Sequence, residues 1–206
     1  MPTNYAQGGS LPVPITNIVA WQAIAANAAP VKSTELTCTG YKYARFLIEF
    51  GLDSTTTPVG TQFLIQRSGS ATGDRDWVTM DTIITGTVAA TAFVTDGDEA
   101  AGQTEIATGA AVPDLNDMVF FKNGTITNSE IGRVVGRDVT GGSEHFDLLD
   151  GLTTLQAGGT YYNKAEKYDR LYILTGATRV RVVVNNNYAA SSAACNIRVS
   201  CVLQND

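Results

Sequence analysis

The chain reads as all-β: a β-sandwich of jelly-roll type carrying an inserted small β-meander or barrel-like module. Three observations predict this. Near the C-terminus, Thr178-Arg179-Val180-Arg181-Val182-Val183-Val184 alternates polar and apolar residues, and Cys195-Asn196-Ile197-Arg198-Val199-Ser200-Cys201-Val202-Leu203 does so again. A period of two marks strands with one buried and one wet face, and two such runs in succession read as a pair. Turn clusters rich in Gly, Ser, Thr and Asn recur along the chain at the spacing of a sandwich or jelly roll. Charged residues make up only 17%, against the ~25% usual in globular domains; Thr, Ser, Asn, Gly and Ala take their place and suit strand faces and tight turns.

Residues 1–14 form an arm, with Gly8-Gly9 and with Pro2, Pro12 and Pro14 giving little to nucleate regular structure. Residues 15–26 read as a strand or irregular edge; a helix over 20–29 is the weaker alternative, because Pro30 stops it and no capping pattern leads in. A short strand is expected at 35–39. Residues 43–50 put Ala44, Phe46, Ile48 and Phe50 on one face and Arg45 and Glu49 on the other. A loop at 53–58 leads to a strand at 62–67 with Phe63 and Ile65 inward, and a loop at 68–74 leads to another at 77–84. The character changes between about 91 and 164, where three short strands are expected at 118–122, 130–138 and 144–149. They are linked by Asn123-Gly124, read as a hairpin turn, and by Thr140-Gly141-Gly142-Ser143. Strands at 171–174, 179–184 and 195–203 close the fold. The expected organisation is therefore an arm (1–14), a sandwich built from 15–90 plus 165–206, and a small β module inserted at 91–164.

With 206 residues and 44% hydrophobic content the chain can bury a sizeable core. Its net charge of -6 argues against direct nucleic-acid binding, which needs a cationic stripe to displace counterions. The N-terminal residues carry neither the basic nor the apolar region of a secretory signal. No apolar run approaches the ~18 residues that would span a bilayer. Synthesis in a cytoplasm, with no membrane partner, is the expectation.

The chemistry-bearing residues are sparse. His145, the only histidine, would have to serve any Ser–His–Asp or Cys–His relay, yet no GxSxG motif supplies a nucleophile; a surface turn residue is the plainer reading. Asp96, Asp98 and Glu99 begin like a calcium loop, but the fifth and twelfth positions from Asp96 are Ala100 and Ala107, so the ligand pattern fails. Carboxylate pairs such as Asp74/Asp76 or Glu166/Asp169 would need to face each other across a cleft to cleave a glycoside. The glycine-rich stretches match no phosphate-binding motif. Trp77 and Tyr161-Tyr162 could form a sugar-stacking platform or plug the core. Cys195 and Cys201 share a strand face with Ile197 and Val199 and read as small core hydrophobes, while a Cys38–Cys195 or Cys38–Cys201 disulfide stays open. No catalytic residue, metal or cofactor is assigned. The one basic grouping is Arg45, Arg179, Arg181 and Arg198, expected on the exposed face of the closing strands. It is either a solvated face balanced by Glu49 and aspartates or a contact patch for an acidic partner or sister subunit.

Four stretches carry a resemblance: Tyr43-Ala44-Arg45-Phe46-Leu47-Ile48-Glu49-Phe50, the Asp76-Trp77 strand start, Val119-Phe120-Phe121-Lys122-Asn123-Gly124-Thr125-Ile126 with Asn128-Ser129-Glu130, and Arg179-Val180-Arg181-Val182-Val183-Val184-Asn185-Asn186. In these the chain resembles structural proteins of tailed-bacteriophage particles, above all head decoration or cement proteins. The resemblance implies a non-enzymatic virion component, assembled in the host cytoplasm, that stabilises the head by bridging capsid subunits. Its partners would be the major capsid protein or other virion subunits, and it would itself be a homo-oligomer with three-fold symmetry favoured and the arm laid on a neighbour. The alternatives are a tail or baseplate component and a carbohydrate-binding β-sandwich module.

Overall fold

A computed structural model describes residues 15–57, 60–74, 76–109, 111–138, 144–186 and 193–205. The strands, in chain order, are β1 (Thr16–Ile24), β2 (Val31–Lys32), β3 (Leu36–Thr37), β4 (Tyr43–Leu52), β5 (Gln62–Ser68), β6 (Trp77–Ile84), β7 (Ala92–Val94) and β8 (Glu105–Thr108). They continue with β9 (Met118–Phe121), β10 (Glu130–Asp138), β11 (Glu144–Leu148), β12 (Thr160–Tyr162), β13 (Glu166–Ile173), β14 (Arg179–Asn185) and β15 (Cys195–Gln204). A single 3-10 turn at Ile126–Asn128 is the one helical element among the described residues, so the all-β expectation holds.

A front sheet runs β1-β15-β4-β13, and a back sheet runs β2-β14-β5-β6 with β3 also on β14. Every pairing is antiparallel. The alternation in β4 buries Ala44, Phe46, Ile48, Phe50 and Leu52, and that in β15 buries Cys195, Ile197, Val199, Cys201 and Leu203 beside them. Phe63 and Ile65 of β5 and Val180, Val182 and Val184 of β14 complete the same core from the back sheet. Burying side chains of this size contributes ~1.5–3 kcal/mol each, so interleaving two period-two faces drives the sandwich shut.

The two C-terminal runs are not partners, contrary to the sequence reading. β15 lies between β1 and β4 in the front sheet, and β14 lies between β2 and β5 in the back sheet. Alternation specifies a buried face and leaves the neighbour open; facing each other across the core buries both apolar faces at once. Strand β13 also begins five residues earlier than expected, pairing with β4 from Glu166↔Phe50 to Ile173↔Tyr43.

Residues between β6 and β13 supply a six-stranded sheet in the order β7-β12-β9-β10-β11-β8. Three of its strands, β7, β8 and β12, were not expected: at three or four residues each they are too short to show a period. The sheet curls until β7 and β8 meet at a Thr95–Thr108 bridge, flanked by Gly109 N–H donating to Val94 O at 3.1 Å. Phe93, Ile106, Val119, Phe121, Val134, Phe146 and Tyr161 fill its interior. The Asn123-Gly124 step is not a two-residue hairpin; a longer connection containing the 3-10 turn joins β9 to β10. The expected Thr140–Ser143 turn and the arm at 1–14 lie outside the described residues.

Period two also fastens the barrel to the front sheet. Val119 and Phe121 point into the barrel, so Phe120 points out of it and lands on Trp21 of β1, ring centroids 5.0 Å apart. Beneath it is Gly51 of β4, where a Cβ would come within 2.3 Å of Phe120 Cγ. Only a residue without a side chain lets the ring sit against the strand.

Candidate functional site at the joint between barrel and front sheet

On the outer face of the front sheet, register places Arg198, Glu49 and Lys167 in one row across β15, β4 and β13. Glu49 is only 8% exposed. Its carboxylate accepts from Arg198 Nε and lies 3.6 Å from Lys167 Nζ, and the Arg198 guanidinium also covers Trp21, 5.1 Å from the ring centre. The next row holds Asn17, Ser200, Leu47 and Asp169, where Ser200 Oγ donates to Asn17 at 2.6 Å. Arg45 clasps Asp169 with two guanidinium nitrogens. That hydrogen bond, seconded by charge, holds the Asp169 carboxyl below the ordinary carboxylate range.

Two hollows share the charged row. One, of about 510 Å³, lies between Glu49, Lys167 and Arg198 on the sheet and Glu130, Arg133 and Thr153 on the barrel. The other, of about 480 Å³, extends the opposite way over Asn17, Leu47, Asp169 and Ser200 to Ile15. Glu130 accepts from Thr153 N–H, Thr153 Oγ1 and Gln156 Nε2, each at 2.8 Å, and so ties the loop after β11 onto the barrel. A carboxylate that accepts this many hydrogen bonds from one loop pins that loop in place.

The expected basic grouping divides between two sheets. Arg45 and Arg198 belong to the front sheet just described. Arg179 and Arg181 are on β14 in the back sheet and, at 8% and 6% exposure, are buried where an exposed face was expected. The loop following β5 folds over them: Arg179 donates to Ser70 O at 2.8 Å and Gly73 O at 2.7 Å. Arg181 reaches Gln66 at 2.9 Å and Asp74 at 3.0 Å, and Glu35 pairs with both arginines. Hydrogen bonds from Arg181 and then Lys32 keep the Asp74 carboxyl below its ordinary value. The two guanidinium carbons stand 4.9 Å and 4.0 Å from the Trp77 ring centre. Trp77 is thus neither a core plug nor an open platform, and Tyr161 is buried in the barrel against Phe121.

The other candidates do not converge. Asp74 is spent on Lys32 and Arg181. Glu166 and Asp169 point to opposite faces of β13; Glu166 accepts from Gly86 N–H at 2.7 Å and from the Tyr168 hydroxyl. His145 lies half-buried on β11, opposite Ala107 and Asp138. Glu99 is buried and bridged to Gln156; burial first, then Asp96 and Asp98, raises its pKa. No metal-ligating group of three occurs among the described residues. All three cysteines are free and buried, and burial pushes the thiols of Cys195 and Cys201 up to about 12.

Sequence reasoning found Glu49, Arg45 and Arg198 singly and missed Lys167, which joins them only through the register of β13. It also missed the Trp21–Phe120–Gly51 joint; the signal was the consecutive pair Phe120-Phe121, which on a strand must serve two different cores. A scan against protein-family models, a search of curated proteins and a search of solved structures each found no match to this chain.

Proposed function

We propose that this chain is a non-enzymatic structural subunit of a tailed-bacteriophage particle, and within that class a head decoration or cement protein. The observation that carries the structural reading is the use made of the charged side chains around the two hollows. Glu49, Lys167, Arg198 and Glu130 are committed to joining strand to strand and loop to barrel, and Arg179 and Arg181 likewise fasten a loop. A fold that invests its polar chemistry in rigidity suits a load-sharing brick. The phage assignment is supported by the four resembling stretches, two of which form the central strands β4 and β14.

In this reading the protein binds the major capsid protein or neighbouring virion subunits as a homo-oligomer, and the added interface stabilises the assembled head by mass action. It is synthesised in the host cytoplasm and resides in the virion. Trp77, already covered by two guanidinium groups, weighs against the sugar-binding alternative.

Immunogold labelling of phage particles from the source lysate, with antibody to this chain, tests the proposal. Label on heads is the expected result. Label confined to tails would move the protein to the tail class, and purified particles lacking the chain by mass spectrometry would end the virion reading altogether.

A further inference from the structure

We propose that β13 is a self-recognition edge: two copies of this chain join by antiparallel pairing of their β13 strands about a two-fold axis at Tyr168. β13 is the outermost strand of the front sheet. Beyond its ladder with β4, residues 166–173 make no backbone–backbone hydrogen bond among the described residues. Such an edge is a template for another strand, and the side chains decide which strand it accepts.

The sequence Glu166-Lys167-Tyr168-Asp169-Arg170 sorts the possible registers. A two-fold normal to the sheet pairs residues of the same face, so the axis must pass through a residue position. Centred on Glu166, Lys167, Asp169 or Arg170, it sets like charges directly opposite, which is destabilising; centred on Leu171, Tyr172 or Ile173, it brings no opposite charges together. Centred on Tyr168, it sets Lys167 opposite Asp169 of the second copy and Glu166 opposite Arg170 of the second copy, each twice. The charges therefore reject neighbouring registers and accept this one.

The outer face reinforces the choice. Within one copy the row Arg198–Glu49–Lys167 already alternates in sign, and Asp169 is clasped by Arg45. Across the axis the row continues from Arg198, Glu49 and Lys167 to Asp169 of the second copy, plus, minus, plus, minus, and Arg45 of that copy, one row further along its β4, braces the same Asp169. No charge is left facing its like. The resulting symmetry is two-fold, in place of the three-fold symmetry favoured from sequence, and the two front sheets become one sheet of eight strands. This inference holds whether or not the protein belongs to a virion.

Charge exchange tests it. Lys167→Glu with Arg170→Glu makes an all-acidic edge; Glu166→Lys with Asp169→Lys makes an all-basic one. Light scattering across a concentration series should give a dimer for the unaltered chain, a monomer for each variant alone, and a dimer for their equimolar mixture. Circular dichroism of each variant confirms that its strands are formed, and a variant that fails this check is replaced by the single change Lys167→Glu or Asp169→Lys. An unaltered chain that stays monomeric at every concentration overturns the proposal. So do variants that keep the parent's mass, or a mixture that fails to recover it. These outcomes concern mass in solution, and the particle-labelling result is independent of them.

Discussion

Replacing Gly51 by alanine should lock the barrel and the sandwich into conflict, and the conflict should vanish when Phe120 is removed. The added Cβ would stand 2.3 Å from Phe120 Cγ, where carbon contacts settle at ~3.5–4.0 Å, so the ring must retreat by about 1.2 Å or more. It has nowhere to go: Phe120 is fully buried and its other side rests on Trp21 at 5.0 Å. Overpacking of this kind costs ~1–3 kcal/mol. Phe120→Ala alone removes a buried aromatic ring over a strand position with no side chain to fill the gap, and should cost ~3–5 kcal/mol. In that background the methyl group enters a void. Gly51→Ala then gains ~0.5–1 kcal/mol, the usual benefit of alanine over glycine inside a strand. The coupling between the two substitutions is therefore ~1.5–4 kcal/mol, well beyond the ~0.5 kcal/mol within which independent sites add. Urea denaturation of the four proteins, compared at a common slope, measures it. Equal effects of Gly51→Ala in both backgrounds would show that Phe120 does not occupy this site and that the barrel is fastened by something else.

Three further outcomes follow from the side-chain networks. Arg181→Met should lower stability by ~1–2 kcal/mol through lost stacking and hydrogen bonds, and should shift the Trp77 emission; an unchanged spectrum would place the guanidinium away from the ring. Glu99 has a folded-state pKa raised above its unfolded value, so the folded protein binds that proton more tightly and stability falls as pH rises through the raised pKa. Glu99→Gln should accordingly be more stable than the parent at neutral pH, with the gap closing as pH falls below that window, as read by thermal melts; a gap independent of pH would contradict it. With their thiols pushed up to about 12 and only 1% exposure each, Cys195 and Cys201 should react with a thiol reagent at pH 8 only on unfolding, and rapid labelling of the native chain would refute their burial.

The long strands were legible where apolar residues recur at every second position. β4, β14 and β15 show that period over seven to ten residues, and their bounds, like those of β6, were read to within a few positions. The barrel was legible only in part. A strand of three residues such as β7 or β12 carries no measurable alternation, and its place is set by neighbours distant in sequence. Pairing partners were beyond reach for a related reason: β14 and β15 each announce a buried face, and only the assembled core decides that those faces meet across the sandwich. Arg179 and Arg181 were assigned to solvent by the same alternation. They do point away from the core, but the 68–74 loop then closes over them, and loop placement leaves no periodic trace. The Arg198–Glu49–Lys167 row needed three strands in register before it existed at all.

The position of β15 in the middle of the front sheet has a consequence for the order in which the chain acquires structure. Strand β1, near the start, has its pairing partner near the end, with β15 wedged between it and β4. During synthesis β4 can pair with β13 first, but β1 must wait for its partner until residues from 195 onward appear. The barrel has no such dependence: its strands lie between residues 92 and 162 and pair among themselves. It can therefore form first and hold β9 ready, with Phe120 presented, as a platform on which the front sheet later closes. Contacts that span the whole length of a chain are slow to form, and the unfinished sandwich is the stage at which this protein is exposed to misassociation. Loss of the last ten residues would leave the barrel strands in place and take away most of the strand that joins β1 to β4.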